Sequence, residues 1–278
     1  MPVDLKAVGK KLGAVTHAYT ERDVMLYALG VGCGTDDLQF TYEQRDLKVL
    51  PTFAVIPSLP AMFSLGGAMD VNPAMVLHGE QRIELHAEIP TSGTITTTPM
   101  IKAIYDKVKG ALVVVETESV DPKGRLLFRN TAGIFARGEG GFGGDRGPSG
   151  PRNLPPDRPP DKSIAMKTLP QQALLYRLSG DMNPLHADPE FARMAGYERP
   201  ILHGLCTFGF AGRAVLRAWC NDDPARLKSF EVRFSGVVYP GETITTDMWQ
   251  ISPGKIVLTA KTERGEAVLT GAAAEVAT

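Results

Sequence analysis

Hydrophobic and polar residues alternate along many stretches of this chain, a pattern that is typical of strands with one buried face. The pattern predicts eight strands, at 82–89, 93–107, 111–121 and 125–137 in the first half and at 229–239, 242–252, 255–264 and 266–276 in the second. Turn sequences such as YPGE and SPGK separate the strands of the second half. Strands this close in sequence predict antiparallel meanders.

A helical period appears instead at residues 204–219, GLCTFGFAGRAVLRAW, whose large apolar side chains fall at helical spacing. Gly209 and Gly212 lie within this segment, and a glycine inside a helix costs about 1 kcal/mol relative to alanine. We therefore expect a packing reason for them, namely a slim helix that presses closely into a curved sheet. The first half has a similar order of segments, and a helix followed by a meander makes each unit α+β.

Glycine and proline are concentrated in residues 138–162, GEGGFGGDRGPSGPRNLPPDRPPDK, where the apolar periodicity is lost. This composition is typical of a linker that is flexible where glycine dominates and stiffer where proline dominates. It predicts an N-terminal domain at residues 1–137 and a C-terminal domain at residues 163–278.

The two halves share short sequences at one constant offset of 149 residues. LYALG at 26–30 matches LYRLS at 175–179, and TITT at 94–97 matches TITT at 243–246. Two matches in one register, on either side of a linker, indicate a duplicated domain. Two such units can join their sheets edge to edge, which would cover exposed strand edges.

The composition limits which binding partners and which cellular compartment we expect. A formal net charge of −1 over 278 residues gives no reason to expect nucleic acid or a membrane surface as a partner. Three cysteines without metal-ligand spacing indicate a reducing compartment rather than a disulfide framework. Because the sequence shows no apolar run of ~20 residues, no signal pattern and no Ser-Lys-Leu end, we expect a cytoplasmic protein.

Candidate chemistry lies in LSGDMNPLHADPE, residues 178–190, where Asp181, Asn183 and His186 surround a proline. Part of this segment has a structural explanation, because Asn-Pro favours a turn and Asp188 followed by proline is typical of a helix start. A turn with incidental polar residues and a catalytic loop are therefore both open at this point.

The first copy lacks this polar set, since the residues at the offset of 149 are Gly32, Gly34 and Asp37. A purely structural turn would not need that difference, so the comparison favours chemistry confined to the second copy. A metal site is a weaker alternative, because two oxygens and one imidazole have no further ligand nearby in the sequence. Nucleophilic catalysis is weaker still, because no nucleophile elbow is present and no cysteine accompanies the histidine.

The sequence YRLSGDMNPLHADPEFA, followed by RPILHGLCTFGFAGRAV, resembles the signature of the (R)-specific, MaoC-like enoyl-CoA hydratases. Apart from the linker, the whole chain is similar to the two-domain type 2 2-enoyl-CoA hydratases, which occur alone or as modules of peroxisomal multifunctional enzymes. Its first half is a degenerate copy. The resemblance implies a double hot-dog fold, in which two antiparallel sheets, each wrapped on a long helix, join into one continuous sheet.

The resemblance also implies the reaction. These hydro-lyases convert a trans-2-enoyl-CoA reversibly to an (R)-3-hydroxyacyl-CoA, with coenzyme A as part of the substrate and no other cofactor or metal. Asp181 and His186 would hold the water between them, with Asp181 as the favoured base and His186 as the proton donor to C2. Asn183 would orient the pair or the substrate. The backbone N–H of Gly204, at the start of the long helix, would form an oxyanion hole.

Further residues are expected to bind the substrate, and His203 is expected to be structural. The resemblance suggests that the first half reaches across to the substrate, and the degenerate copy is consistent with a widened acyl tunnel. The predicted substrate-binding residues are His78, Gly79, Lys107, Arg177, Met182, Pro184, Leu185 and Phe234.

Three alternatives to a straight-chain hydratase stay open. A thioesterase would direct water at C1 rather than C3, a related hydratase would act on a branched or dicarboxylic enoyl-CoA, and a binding module would hold acyl-CoA without turnover. The intact acid–histidine pair argues against the binding module. In each case the expected partner is an acyl-CoA, with neither nucleic acid nor membrane, and the chain is expected to be able to form a homodimer.

Overall fold

The computed structural model describes residues 4–63 and 75–278, and the described strands form a single antiparallel sheet. They are β1 (Val15–Tyr19), β2 (Val76–Leu85), β3 (Gly93–Asp106), β4 (Gly110–Val120), β5 (Leu126–Arg137), β6 (Lys162–Lys167), β7 (Leu227–Phe234), β8 (Thr243–Ser252), β9 (Lys255–Thr262) and β10 (Ala267–Val276). Their order across the ten-stranded sheet is β1-β3-β4-β5-β2-β7-β10-β9-β8-β6. The first five strands of this order come from the first half of the chain and the other five from the second.

Two helices lie against this sheet, one in each half. The described helices are α1 (Glu21–Gly30), α2 (Leu38–Thr41), α3 (Val55–Phe63), α4 (Gln172–Tyr176), α5 (Pro189–Met194) and α6 (Gly204–Val215). α3 packs on β3 and β4, and α6 packs on β7 and β8. α6 continues as a π-helical turn at Leu216–Cys220, so the helix predicted at 204–219 is confirmed. In the part of the chain that is described, no helix is both long and apolar enough to cross a membrane.

The two halves join through their sheets. β2 of the first half pairs with β7 of the second, and at the centre of this seam Ile83 lies opposite Phe230. Both side chains are fully buried. The predicted edge-to-edge junction is therefore confirmed, and β1 and β6 form the outer edges of the continuous sheet.

The strand pairing repeats at the offset that the sequence matches gave. Val15 of β1 pairs with Thr97 of β3, and Ile164 of β6 pairs with Thr246 of β8, which are the positions 149 residues further on. α3 and α6 also begin at equivalent positions. The duplication thus extends from short sequence matches to the register of the sheet.

Several strands differ from the sequence prediction. β1 and β6 were not predicted, because they are short and half-exposed and carry little apolar signal. β2 begins at Val76 rather than at 82, since a register shift between His78 and Glu80 interrupts the alternation there. β7 ends at Phe234 rather than at 239. These corrections bring the start of β2 and the end of β7 to the functional site.

The glycines of α6 have a packing reason, but the nearest neighbours are not those expected. A Cβ atom on Gly209 would lie 2.3 Å from Val31 Cγ1, and one on Gly212 would lie 2.5 Å from Thr52 Cγ2. Both neighbours belong to the first half of the chain rather than to the sheet. The slim face of α6 therefore serves close contact between the two halves.

The predicted linker has no helix or strand between residues 138 and 161, and β6 begins at its last residue. It lies on the sheet through specific contacts. The Asn153 side-chain amide donates hydrogen bonds to Glu231 Oε1 (2.9 Å) and to the Gly271 carbonyl (3.0 Å). Arg152 forms an ion pair with Glu80 at 2.9 Å. The segment is therefore tied to strands of both halves.

Candidate active site

The loop between α4 and α5 is built by side chains that cap the backbone. Asn183 Oδ1 accepts a hydrogen bond from the Leu185 N–H (3.0 Å) at the start of a 3₁₀ turn. Asp188 Oδ1 accepts from the Glu190 N–H (2.8 Å) and starts α5. The structural explanation of the segment is thus confirmed for Asn183 and Asp188. It also applies to Asp181, whose Oδ1 accepts a hydrogen bond from the Asn183 N–H (3.2 Å), but it does not account for the buried His186.

His186 ends the 3₁₀ turn with its side chain almost fully buried. Its Nδ1 lies 2.8 Å from the carbonyl oxygen of Ile201. Because a carbonyl oxygen can only accept, Nδ1 carries the proton, and in the neutral ring Nε2 has a free lone pair. Burial lowers the pKa of His186, against the opposing effects of the Ile201 carbonyl and the Asp181 carboxylate. The neutral form with Nε2 unprotonated is therefore favoured.

A second imidazole completes the cluster. The His203 ring lies against that of His186, with ring centroids 3.7 Å apart and the planes tilted by 30°. One ligand atom from each of Asp181, His186 and His203 lies within 4.8 Å of the others, so the fold brings up a possible metal ligand, His203, that the loop sequence did not offer. However, one nitrogen of each ring already lies against a backbone carbonyl oxygen, His186 Nδ1 at Ile201 (2.8 Å) and His203 Nε2 at Asp181 (3.1 Å). The arrangement favours acid–base chemistry over metal binding.

Gly204 follows His203 and is the first residue of α6. It is exposed, and the first N–H groups of a helix have no partner within the helix. The helix dipole adds partial positive charge at this point. A Cβ atom here would lie 3.3 Å from two ring atoms of Phe234. Glycine therefore keeps the helix start open to a ligand beside that ring.

These groups share one pocket of about 760 Å³. Of the residues predicted from sequence, those that line it are Asp181, Asn183, His186, Gly204, His78, Met182, Leu185 and Phe234. The first half contributes an otherwise apolar wall, formed by Leu59, Met62, Val76, Leu77 and Ile134. The pocket thus combines a polar centre from the second half with apolar surface from the first.

Four predicted substrate residues do not line this pocket. Gly79 lies at the register shift in β2, and Pro184 is the first residue of the 3₁₀ turn. Lys107 Nζ donates hydrogen bonds to the carbonyl oxygens of Arg146 (2.6 Å) and Pro148 in the linker. Arg177 lies in the turn before the loop. The structure therefore does not bring these four into the pocket.

His78 enters the pocket from the first half. Its ring meets that of Phe234 edge to face, with centroids 5.2 Å apart, and its Nε2 lies 3.1 Å from the Glu80 carbonyl oxygen. Burial lowers the pKa of His78 to about 4, despite the Glu80 carbonyl and other groups that raise it. The ring is therefore neutral near pH 7 and joins the two halves at the pocket.

Sequence reasoning missed part of the site. His203 was expected to be structural, and the structure places its ring against that of His186. The pocket residues Leu59, Met62 and Ile134 were not predicted, because their apolar side chains look like core residues in the sequence. Only the pairing of the two halves brings them opposite the loop.

The corresponding loop of the first half has a different use. Asp37, at the position equivalent to His186, is buried and forms ion pairs with Arg213 (2.8 Å) and Arg217 (2.7 Å). Gly32 packs against Phe210 of α6. This loop therefore braces α6, while the prediction that the chemistry is confined to the second copy stays a prediction.

A second pocket of about 770 Å³ lies at positions related by the same offset. Leu85 in this pocket is equivalent to Phe234 in the first pocket, and Leu227 is equivalent to His78. Its lining includes no residue of the 32–37 loop. The pocket that holds the acid–histidine pair thus has a counterpart at the related positions of the duplicated fold.

The continuous sheet of two helix-bearing units, with a carboxylate and an imidazole beside a helix start, defines a double hot-dog protein of the MaoC-like class. One solved structure described as a double hot-dog fold, from Mycobacterium tuberculosis, superposes with a TM-score of 0.63 at 14% identity over 99% of this chain and 98% of its own. A crystal structure of a MaoC-like dehydratase from Phytophthora capsici has a TM-score of 0.91 at 37% identity, over 100% and 98% of the two chains.

Family models and curated relatives agree with this class. Residues 17–138 match the model described as MFE-2 hydratase 2 N-terminal domain, and residues 152–272 match the MaoC like domain. A protein named probable enoyl-CoA hydratase 2 from Dictyostelium discoideum is 46% identical, over 95% of this chain and 93% of its own length. Enoyl-CoA hydratase 2, peroxisomal, from Arabidopsis thaliana is 41% identical, over 94% and 91%. The chain belongs to the enoyl-CoA hydratase 2 family of MaoC-like proteins.

Proposed function

We propose that this protein adds water to a trans-2-enoyl-CoA to give an (R)-3-hydroxyacyl-CoA, and that it also catalyses the reverse dehydration. The observation that carries the proposal is that Asp181, His186 and the helix start at Gly204 line one pocket. Relatives of similar length named enoyl-CoA hydratase 2 support the same reaction.

His186 moves the proton in this proposal. The oxygen of water bonds to C3 while one of its protons passes to Nε2, and the electron pair of the C2–C3 double bond moves onto the thioester as an enolate. The imidazolium then returns that proton to C2 on the same face, which restores the neutral ring. Because Nε2 of neutral His186 is unprotonated, we assign it the first proton rather than Asp181, which the sequence favoured.

Asp181 then has an electrostatic role. Its Oδ1 accepts a hydrogen bond from the Asn183 N–H at 3.2 Å, which orients the carboxylate within the loop. A carboxylate near His186 holds the attacking water by a hydrogen bond and stabilises the imidazolium that forms. Asn183 acts through the loop backbone, since its side-chain oxygen caps the 3₁₀ turn.

The enolate oxygen needs a donor as its charge develops. The N–H of Gly204 fits this role, because it lies at the positive end of α6 and the residue lines the pocket. A side chain at this position would stand between the thioester and Phe234. We propose that the thioester lies over Gly204.

The two halves divide the binding of the substrate. We propose that the acyl chain extends along the apolar wall from the first half, which includes Leu59, Met62 and Ile134. Coenzyme A would leave the pocket towards solvent, where Gly79, Lys107, Arg177 and Pro184 remain candidate contacts. In this proposal the N-terminal domain (residues 1–137) binds the acyl chain and the C-terminal domain (residues 163–278) catalyses the reaction. Residues 138–162 link the two domains.

Hydration changes no redox state, so we propose that the enzyme works with coenzyme A as part of the substrate and without another cofactor. For the compartment we propose the cytoplasm. The name of the Arabidopsis relative includes the word peroxisomal, so the alternative compartment is the peroxisome. The location of a fluorescent fusion distinguishes the two compartments. We also propose a homodimer, which light scattering on the purified chain tests.

The proposed reaction is tested by mixing purified protein with crotonyl-CoA and with trans-2-decenoyl-CoA. We expect loss of the enoyl-thioester absorbance and, by chiral analysis, an (R)-3-hydroxyacyl-CoA product. Free coenzyme A without hydroxy product would indicate a thioesterase instead. No turnover of either substrate would contradict the straight-chain hydratase, and branched substrates and acyl-CoA binding would then be measured.

A further inference from the structure

His203 contacts three parts of the proposed active site without lining the pocket. Its side chain is 1% exposed. Its Nε2 lies 3.1 Å from the main-chain carbonyl oxygen of Asp181, and its ring contacts that of His186, with centroids 3.7 Å apart. Its own carbonyl oxygen accepts hydrogen bonds from Cys206 and Thr207 in the first turn of α6. One residue thus joins the acid, the imidazole and the helix start.

The hydrogen bond determines the tautomer of this ring. A carbonyl oxygen can only accept, so His203 Nε2 carries the proton and donates to Asp181. The other nitrogen, Nδ1, then carries a lone pair, and it is buried with no hydrogen-bond partner among the described residues. Burial and the neighbouring His186 lower the pKa of His203 to about 2, against the effect of the Asp181 carbonyl. The ring therefore remains neutral while His186 titrates.

An imidazole is a costly choice for mere packing at this position. A buried polar nitrogen without a partner costs about 1–3 kcal/mol, whereas a phenyl ring would fill similar space without that cost. The ring of Tyr176 also contacts that of His203, with centroids 4.9 Å apart and the planes tilted by 52°. The feature that distinguishes histidine from an apolar ring here is the N–H that it donates to Asp181.

We propose that His203 is a positioning residue for the hydration reaction, which fixes the Asp181 backbone above the helix start while its ring supports His186. The inference rests on the proposed function. The His203 ring, 3.7 Å from that of His186, restricts the orientation of the His186 imidazole, and the donated hydrogen bond sets the distance of the Asp181 carboxylate from that imidazole. His203 touches neither the substrate nor the reacting atoms.

Two substitutions separate the donor from the ring. His203→Gln keeps an N–H at the same number of bonds from the backbone, and His203→Phe keeps the ring but removes the donor. For His203→Phe we expect kcat for crotonyl-CoA to fall ~10–100-fold, as for a small misplacement of a catalytic group, with KM within about twofold. His203→Gln should recover at least several-fold of that kcat. His86→Phe, at an exposed histidine, is the matched control and should leave kcat unchanged.

The pH profile gives a readout that a merely structural role would not change. Asp181 raises the pKa of His186, so a displaced Asp181 in His203→Phe should move the acid limb of kcat/KM to lower pH. Wild-type kcat and an unmoved limb in His203→Phe would overturn the proposal. A His203→Gln variant no more active than His203→Phe, with equal losses in melting temperature, would overturn it as well.

A measurement on the unaltered protein covers the case in which the variants do not fold. Imidazole ¹⁵N spectra should show His203 neutral with Nε2 protonated over the pH range in which His186 titrates. An Nδ1-protonated or titrating His203 would overturn the proposal. If the wild type turns over neither enoyl-CoA, the proposed function fails, and these spectra still report whether His203 donates to Asp181.

Discussion

His186 and Asp181 differ in how their surroundings hold them. The imidazole is buried and donates from Nδ1 to the Ile201 carbonyl, while the carboxylate is partly exposed at the pocket. We predict that Asp181→Asn and His186→Ala each lower turnover of crotonyl-CoA by ~10²–10⁴-fold, the usual range for loss of an acid–base group. Steady-state kinetics measure this.

Binding distinguishes these variants from unfolded protein. Both should still bind acyl-CoA in calorimetry, because the apolar wall from the first half is intact. The exposed His86→Ala serves as the control and should keep wild-type turnover. Retained activity in His186→Ala would contradict the proposed proton transfer.

The pH dependence follows from the neutral state of His186. Burial lowers its pKa below the ordinary value of 6.5, so the active neutral form predominates above that lowered pKa and is lost as the pH falls through it. We predict an acid limb of kcat/KM below pH 6.5. If His186 instead had to start as a cation, activity would fall as the pH rises through this range. Because the pKa of His186 is lower in the folded than in the unfolded protein, acid also favours unfolding. Melting curves at each pH therefore serve as the control that the protein is still folded.

The important residues of the loop are visible in the sequence because they differ from the first copy within a common scaffold. Asp181 and His186 stand out in this way. The partner that holds them, His203, is 22 residues from Asp181. Its role depends on a turn, a short helix and a return of the chain, and no local pattern predicts that contact.

Among the secondary-structure elements, α6 is held by both halves of the molecule. Asp37 and Arg213 are each 7% exposed in their side chains, and Arg213 also donates to the Val31 carbonyl (3.0 Å). Asp37→Asn would leave a buried guanidinium without its carboxylate. We predict a loss of ~3–5 kcal/mol in the free energy of unfolding, measured by urea denaturation.

The matched control is an exposed pair on neighbouring strands. Glu118→Gln removes the carboxylate opposite Arg129, which is 2.8 Å away and partly exposed to solvent. Its expected cost is ~0–1 kcal/mol. Equal losses in Asp37→Asn and Glu118→Gln would contradict the role of the first-half loop as a brace for α6.

At the scale of the whole molecule, the pocket depends on both halves being joined. Met62 of α3 lines the same pocket as Asp181 and His186. We predict that Met62→Trp shortens the acyl site, so that kcat/KM for trans-2-decenoyl-CoA falls ~10-fold or more while that for crotonyl-CoA changes by less than about twofold. Stopped-flow absorbance on both substrates measures the ratio.

The control for this prediction is Met194→Trp on α5, where the methionine is 79% exposed. It adds the same side chain away from the pocket and should leave both rates unchanged. If Met62→Trp changes kcat/KM equally for the two substrates, the acyl chain does not extend along Met62.

The sequence by itself determined the meanders, the helix at 204–219, the duplication at an offset of 149 and the acid–histidine loop, because each depends on neighbouring residues or on comparison within the chain. Only the tertiary structure decided which surfaces meet. It paired Ile83 with Phe230 at the seam and stacked His203 on His186. It placed Met62 opposite the loop and left Lys107 on the linker. Such contacts join residues far apart in sequence, so they depend on how the two sheets pair rather than on any local pattern.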